Sequence, residues 1–93
     1  HTLEVSVTKI NIYCLFDNRE RLYGVYSSIK AVHRDAVRLC NKGHSAVYIN
    51  YDDSVRAPTV TLLRNVFKGE MDVTVRYFSD AASAMILKTG LKE

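Results

Sequence analysis

A chain of 93 residues, 47% hydrophobic and 25% charged, has room for one domain and enough apolar residues for one core, which excludes a disordered tail. No apolar run approaches the roughly 18 residues of a membrane-spanning helix. The formal charge of +3, from 13 Lys and Arg against 10 Asp and Glu, is only mildly basic and excludes a histone-like tail.

Residues 1–93 are therefore read as a single domain. The start of the chain shows no basic segment followed by an apolar one, so no signal peptide is expected. The only two cysteines, Cys14 and Cys40, both lie among apolar residues. They are read as reduced core thiols in a cytoplasmic protein, because a small secreted chain usually carries four or more.

The first element is extended, from Leu3 to Phe16. Leu3, Val5 and Val7 alternate with polar residues, and Ile10, Ile12, Cys14 and Phe16 continue on the opposite parity. A bend or bulge, or a division into two short strands, is expected near Thr8 and Lys9. Asp17–Arg21 is a polar turn, and Leu22–Ser27 is the returning strand of a hairpin. Ser27 or Ser28 then caps a helix whose apolar side carries Ile29, Val32, Ala36, Leu39 and Cys40, and Gly43 ends it. Ala46–Tyr51 reads as a third strand, stopped by a solvated turn at Asp52 and Asp53. In Ala57–Lys68, Pro58, the spacing of Val60, Leu63 and Phe67, and Gly69 favour a helix, although Thr59-Val60-Thr61 is β-branched. Met71–Phe78 alternates as a strand. Ser79 or Asp80 then caps a final short helix over Ala81–Lys88, closed by Gly90. The expected fold is an α+β two-layer sandwich, a mostly antiparallel sheet with helices on one face, in the order β-β-α-β-(α)-β-α.

The charge becomes informative when divided along the chain. Between Asp17 and Lys42 there are six basic and three acidic residues, and the remainder holds seven of each. The whole +3 thus belongs to the first hairpin turn and the first helix. On that helix Lys30, Arg34, Arg38 and Lys42 follow one another at intervals of four, giving one stripe about 120° wide opposite the apolar side. Together with Arg19 and Arg21 they form a candidate binding surface for nucleic acid, RNA or DNA, or for an acidic protein patch. Tyr23 and Tyr26 are the candidates for stacking on bases.

Other chemistry has little to stand on. The spacing Cys40-x-x-x-His44 has no second pair of ligands, so neither metal nor other cofactor is expected. The four glycines are isolated and form no phosphate loop. Cys40, His33 and Asp35 share a helix, but Asp35 points away from the other two, so no catalytic residues are assigned and no enzyme is expected.

The stretch Leu22-Tyr23-Gly24-Val25-Tyr26-Ser27-Ser28, followed by Ala31 and Ala36, resembles a segment of small accessory proteins of tailed bacteriophages, in which a strand passes through Gly-Val-Tyr/Phe-Ser-Ser into a helix. That resemblance implies a protein of the host cytoplasm that acts by binding, often on a host enzyme or defence component. The expectation is a non-enzymatic regulatory protein contacting nucleic acid, RNA slightly preferred, through the basic helix face. The alternative is a phage-type inhibitor or adaptor that binds a host or defence protein directly. Self-association as a homodimer is expected through an exposed strand edge such as Ala46–Tyr51.

Overall fold

The computed structural model describes residues 10–91. The expected bend at Thr8 and Lys9, and the strand positions Leu3, Val5 and Val7, lie outside them. The elements are β1 (Asn11–Phe16), β2 (Leu22–Tyr26), α1 (Ile29–Asn41), β3 (Tyr48–Tyr51), β4 (Ser54–Arg56), α2 (Val60–Phe67), β5 (Val73–Phe78) and β6 (Ser83–Gly90). They form an α+β two-layer structure. One six-stranded sheet in the order β2-β1-β6-β5-β3-β4 is antiparallel throughout, and both helices pack on one face of it. The core lies between the layers: Tyr13, Leu15, Ile49, Val75, Tyr77, Ala84 and Ile86 from the sheet meet Val32, Ala36 and Cys40 of α1 and Leu63 and Phe67 of α2.

Local chemistry accounts for most element boundaries. The Ser28 hydroxyl accepts the Ala31 amide at 3.2 Å to open α1. Lys42 (φ 51°) and Gly43 (φ 98°) then turn left-handed to close it, as helix C-termini commonly do. The segment after Arg56 is a helix. Its cap is Thr59, whose hydroxyl accepts the Leu62 amide at 3.0 Å, so Pro58 stands just ahead of the helix and the first β-branched residue serves as the cap.

Three expectations are corrected. The final segment is a strand, β6, and not a helix. It occupies the middle of the sheet between β1 and β5, and ladder pairing on both sides overrides the helix propensity of its Ala, Met, Leu and Lys residues. The capping chemistry of Ser79 is present: its hydroxyl accepts the amides of Ala81 (3.0 Å) and Ala82 (3.2 Å). There it closes the β5–β6 turn. Second, the strand expected over Ala46–Tyr51 is shorter, Tyr48–Tyr51, and continues through a two-residue turn into β4, which the sequence did not suggest. Asp52 and Asp53 both have positive φ (55° and 60°), the primed turn that matches strand twist. β3 is consequently paired on both sides, and the sheet edges are β2 and β4. Third, the inward residues of β1 are Tyr13 and Leu15, while Ile12, Cys14 and Phe16 are only partly buried on the opposite face. It follows that, of the two thiols expected in the core, only Cys40 lies there; Cys14 is partly exposed, and both are free.

Candidate nucleic-acid interface

Why α1 presents a basic stripe follows from its spacing. Lys30, Arg34 and Arg38 each precede a fully buried residue (Val32, Ala36, Cys40) by two positions. Two positions rotate about 200° around a helix, so the cations project away from the sheet, and all four of Lys30, Arg34, Arg38 and Lys42 are exposed.

The middle of the stripe is occupied by a carboxylate. Asp35 accepts from Arg34 Nε at 3.1 Å, lies 3.6 Å from Arg38 Nη1 and accepts the Tyr26 hydroxyl at 2.6 Å. The Tyr26 bond is the main reason its carboxyl is held below the usual range, with the two arginines adding to it. Burial, followed by the bond to Asp35, pushes the Tyr26 phenol up to about 12. Tyr26 packs against the core with its hydroxyl committed to Asp35. The residue is only partly exposed.

The ends of the stripe differ from the middle. At the C-terminal end three segments meet. The Ser79 hydroxyl donates to the Cys40 carbonyl at 2.6 Å, pinning the last turn of α1 to the β5–β6 turn. The β1–β2 turn is built on Asp17, whose carboxylate accepts the backbone amides of Arg19 (2.9 Å) and Arg21 (3.0 Å). Those amides, Arg21 first, hold the Asp17 carboxyl below its ordinary value. A register shift at Leu15/Phe16 leaves Tyr23 as the additional residue of β2, and such a bulge re-aims a side chain. As a result Arg19, Arg21, Tyr23 and Lys42, with Asp17 and Leu39, line one concavity of about 360 Å³. Tyr23 is 50% exposed. Among the described residues Arg19, Lys30 and Lys42 form no ion pair, and Arg21 reaches Asp17 only at 4.0 Å.

The N-terminal end has a separate depression of about 660 Å³, lined by Lys30, Arg34, His33, Val37 and Val60 among others. Burial holds His33 below the ordinary imidazole range, and its Nδ1 lies 2.7 Å from the hydroxyl of the fully buried Tyr77. The six cations thus separate into two groups, Lys30 with Arg34 and Arg19 with Arg21 and Lys42, joined through Arg38 and Asp35. The Tyr26–Asp35 bond, between β2 and α1, left no sign in the sequence. The position of Asp35 three residues before Arg38 did carry that pairing.

Burial pushes the Cys40 thiol up to about 11, which leaves it un-ionised near neutral pH. Among the described residues no three His, Cys, Asp or Glu side chains cluster as metal ligands would. No described helix is long and apolar enough to cross a membrane. What fold and surface define together is a small α+β two-layer domain whose net charge lies on one helix and one adjoining turn. No family model, no curated protein and no solved structure matches the chain.

Proposed function

We propose that this protein is a non-enzymatic regulatory binding protein of the cytoplasm that holds nucleic acid, RNA in preference to DNA, against the basic face of α1 and the β1–β2 turn. The observation that carries this reading is the concavity in which Arg19, Arg21 and Lys42 surround the exposed ring of Tyr23. Cations beside an accessible aromatic suit a phosphate and the unpaired base next to it, and unpaired bases are what proteins read in RNA. Arg34 and Arg38 contribute less, because each already shares Asp35.

About four cations are then available for phosphates, so log K plotted against log salt should fall with a slope near −3 for a single strand. Fluorescence anisotropy on labelled RNA and DNA across a salt series measures this. Arg19→Glu and Lys42→Glu are expected to weaken binding more than Arg34→Glu, and Tyr23→Ala to reduce the preference for unpaired RNA. Absence of binding at low salt, or binding indifferent to Arg19→Glu and Lys42→Glu, would overturn the reading. Protein capture from a lysate that survives nuclease would replace it with direct recognition of an acidic protein.

A further inference from the structure

The helices cover one face of the sheet, and the other face is apolar. An antiparallel sheet with one solvated face normally places polar residues there. Here the face that no described element covers carries Ile12, Cys14 and Phe16 of β1, Met85 and Leu87 of β6 and Phe78 of β5, all of them only partly buried. The ladder makes them contiguous: Cys14 pairs with Leu87, Phe16 with Met85, and Phe78 with Tyr48. The patch extends to the exposed side chains of Val25 (55%) and Tyr48 (40%). Arg76 is the one charged side chain on this face among the described strand residues.

We infer that this face docks against the same face of a second copy of the chain. Two observations select that occupant. Its charges are confined to one end, where Arg76 shares a depression with Asp17 and Glu20 beside Phe16 and Met85, so the face offers no cluster of cations to a phosphate backbone or an acidic peptide. The net charge, in contrast, resides entirely in residues 17–42, and the α1 stripe lies on the far side of the helix layer. Two copies of a basic chain repel least when those stripes point apart. Docking through the open faces separates them by roughly 30 Å or more, several Debye lengths. Six strands of this length give a footprint of roughly 500 Å² per copy, or on the order of 1,000 Å² for the pair, the size at which a specific interface begins. The association is therefore a reversible dimer. β3 is paired on both sides, so the edge pairing suggested for Ala46–Tyr51 has no free edge there, and the contact inferred here is face to face.

Cys14 reports directly on this surface. It sits within the patch, whereas Cys40 is fully buried, so thiol alkylation of the native protein reads Cys14. Sedimentation from about 5 to about 500 µM should show the mass double, and Cys14 alkylation should slow several-fold over the same range. Val25→Asp and Tyr48→Asp, both at exposed positions and checked for fold by circular dichroism, should each restore the monomer and fast alkylation. Arg38→Glu, on the outer side of α1, should leave the dimer intact. A monomer at every concentration would overturn the inference, and so would a dimer indifferent to both Val25→Asp and Tyr48→Asp. A monomer whose Cys14 is always protected would also overturn it, because the chain would then cover this face itself.

Discussion

Gly24, Tyr26 and Asp35 act as one unit. A Cβ on Gly24 would stand 3.0 Å from the Tyr26 hydroxyl and 3.1 Å from its ring. The missing side chain is what lets the ring lie back along β2 and place its hydroxyl 2.6 Å from Asp35. Tyr26→Phe removes a hydrogen bond to a charged acceptor and is expected to cost about 1–2 kcal/mol, measured by urea unfolding at neutral pH. The same bond sets a pH dependence. The folded carboxyl of Asp35 is depressed below its unfolded value. Its stabilisation is therefore complete above the ordinary carboxylate range, near pH 4, and is lost as pH falls through the folded value. In Tyr26→Phe the Asp35 titration followed by NMR should move up toward the ordinary range, and the gap in stability from the parent should narrow on acidification. A gap that stayed constant would mean that the bond does not favour the charged form. Neither the room at Gly24 nor the bond to Asp35 was legible in the sequence, because both depend on residues that meet only when β2 packs beside α1.

At the scale of elements, legibility followed how completely one face was apolar. α1 was readable from cap to C-terminal glycine because its buried positions, Val32, Ala36 and Cys40, recur at helical spacing opposite the charged ones. The inward face of β1 and the identity of β6 were not, for a shared reason. Both strands carry apolar residues on each face, Tyr13 and Leu15 against Ile12, Cys14 and Phe16, and Ala84 and Ile86 against Met85 and Leu87. Alternation vanishes when the second face is also apolar, and the face that erased it is the uncovered one. Lys88 obscured β6 further, because a lysine stands where the pattern needs an inward apolar residue. It is 7% exposed, and its ammonium donates to the Phe67 carbonyl at 2.6 Å, linking the central strand to the last turn of α2. Its aliphatic stem fills core space, and long cationic side chains stabilise through such packing as well as charge. Lys88→Met should therefore stay within about 1 kcal/mol of the parent, since replacing a buried charge by an apolar side chain of similar volume is often neutral. Lys88→Ala should lose about 2–3 kcal/mol by leaving a void. Chemical denaturation of the two variants separates stem from charge; equal losses would assign the effect to the ammonium.

For the whole molecule, the sheet is not equally strong across its width. β1 and β6 pair over six positions, as do β5 and β6. The β3–β4 hairpin, in contrast, joins the rest through two, Tyr48 to Phe78 and Ile49 to Tyr77. The buried anchor of β3 is Ile49 alone, and β4 has no buried residue. Proteins open in cooperative units whose free energies rise with buried contact, so the hairpin is expected to open as a unit while β1, β5, β6 and α1 remain closed. Native-state amide exchange should place the β3–β4 amides below the protection of the central strands, with Ile49→Ala lowering the hairpin first and the central strands much less. Uniform protection from β2 to β4 would show instead that the sheet opens only globally. The hairpin and the basic concavity draw on different segments of the chain, and the concavity is lined by the β1–β2 turn, β2, the end of α1 and the β5–β6 turn, the last two held together by the Ser79–Cys40 bond. Opening of the hairpin should accordingly leave salt-dependent binding intact, and Ile49→Ala should shift amide exchange without changing the slope of log K against log salt.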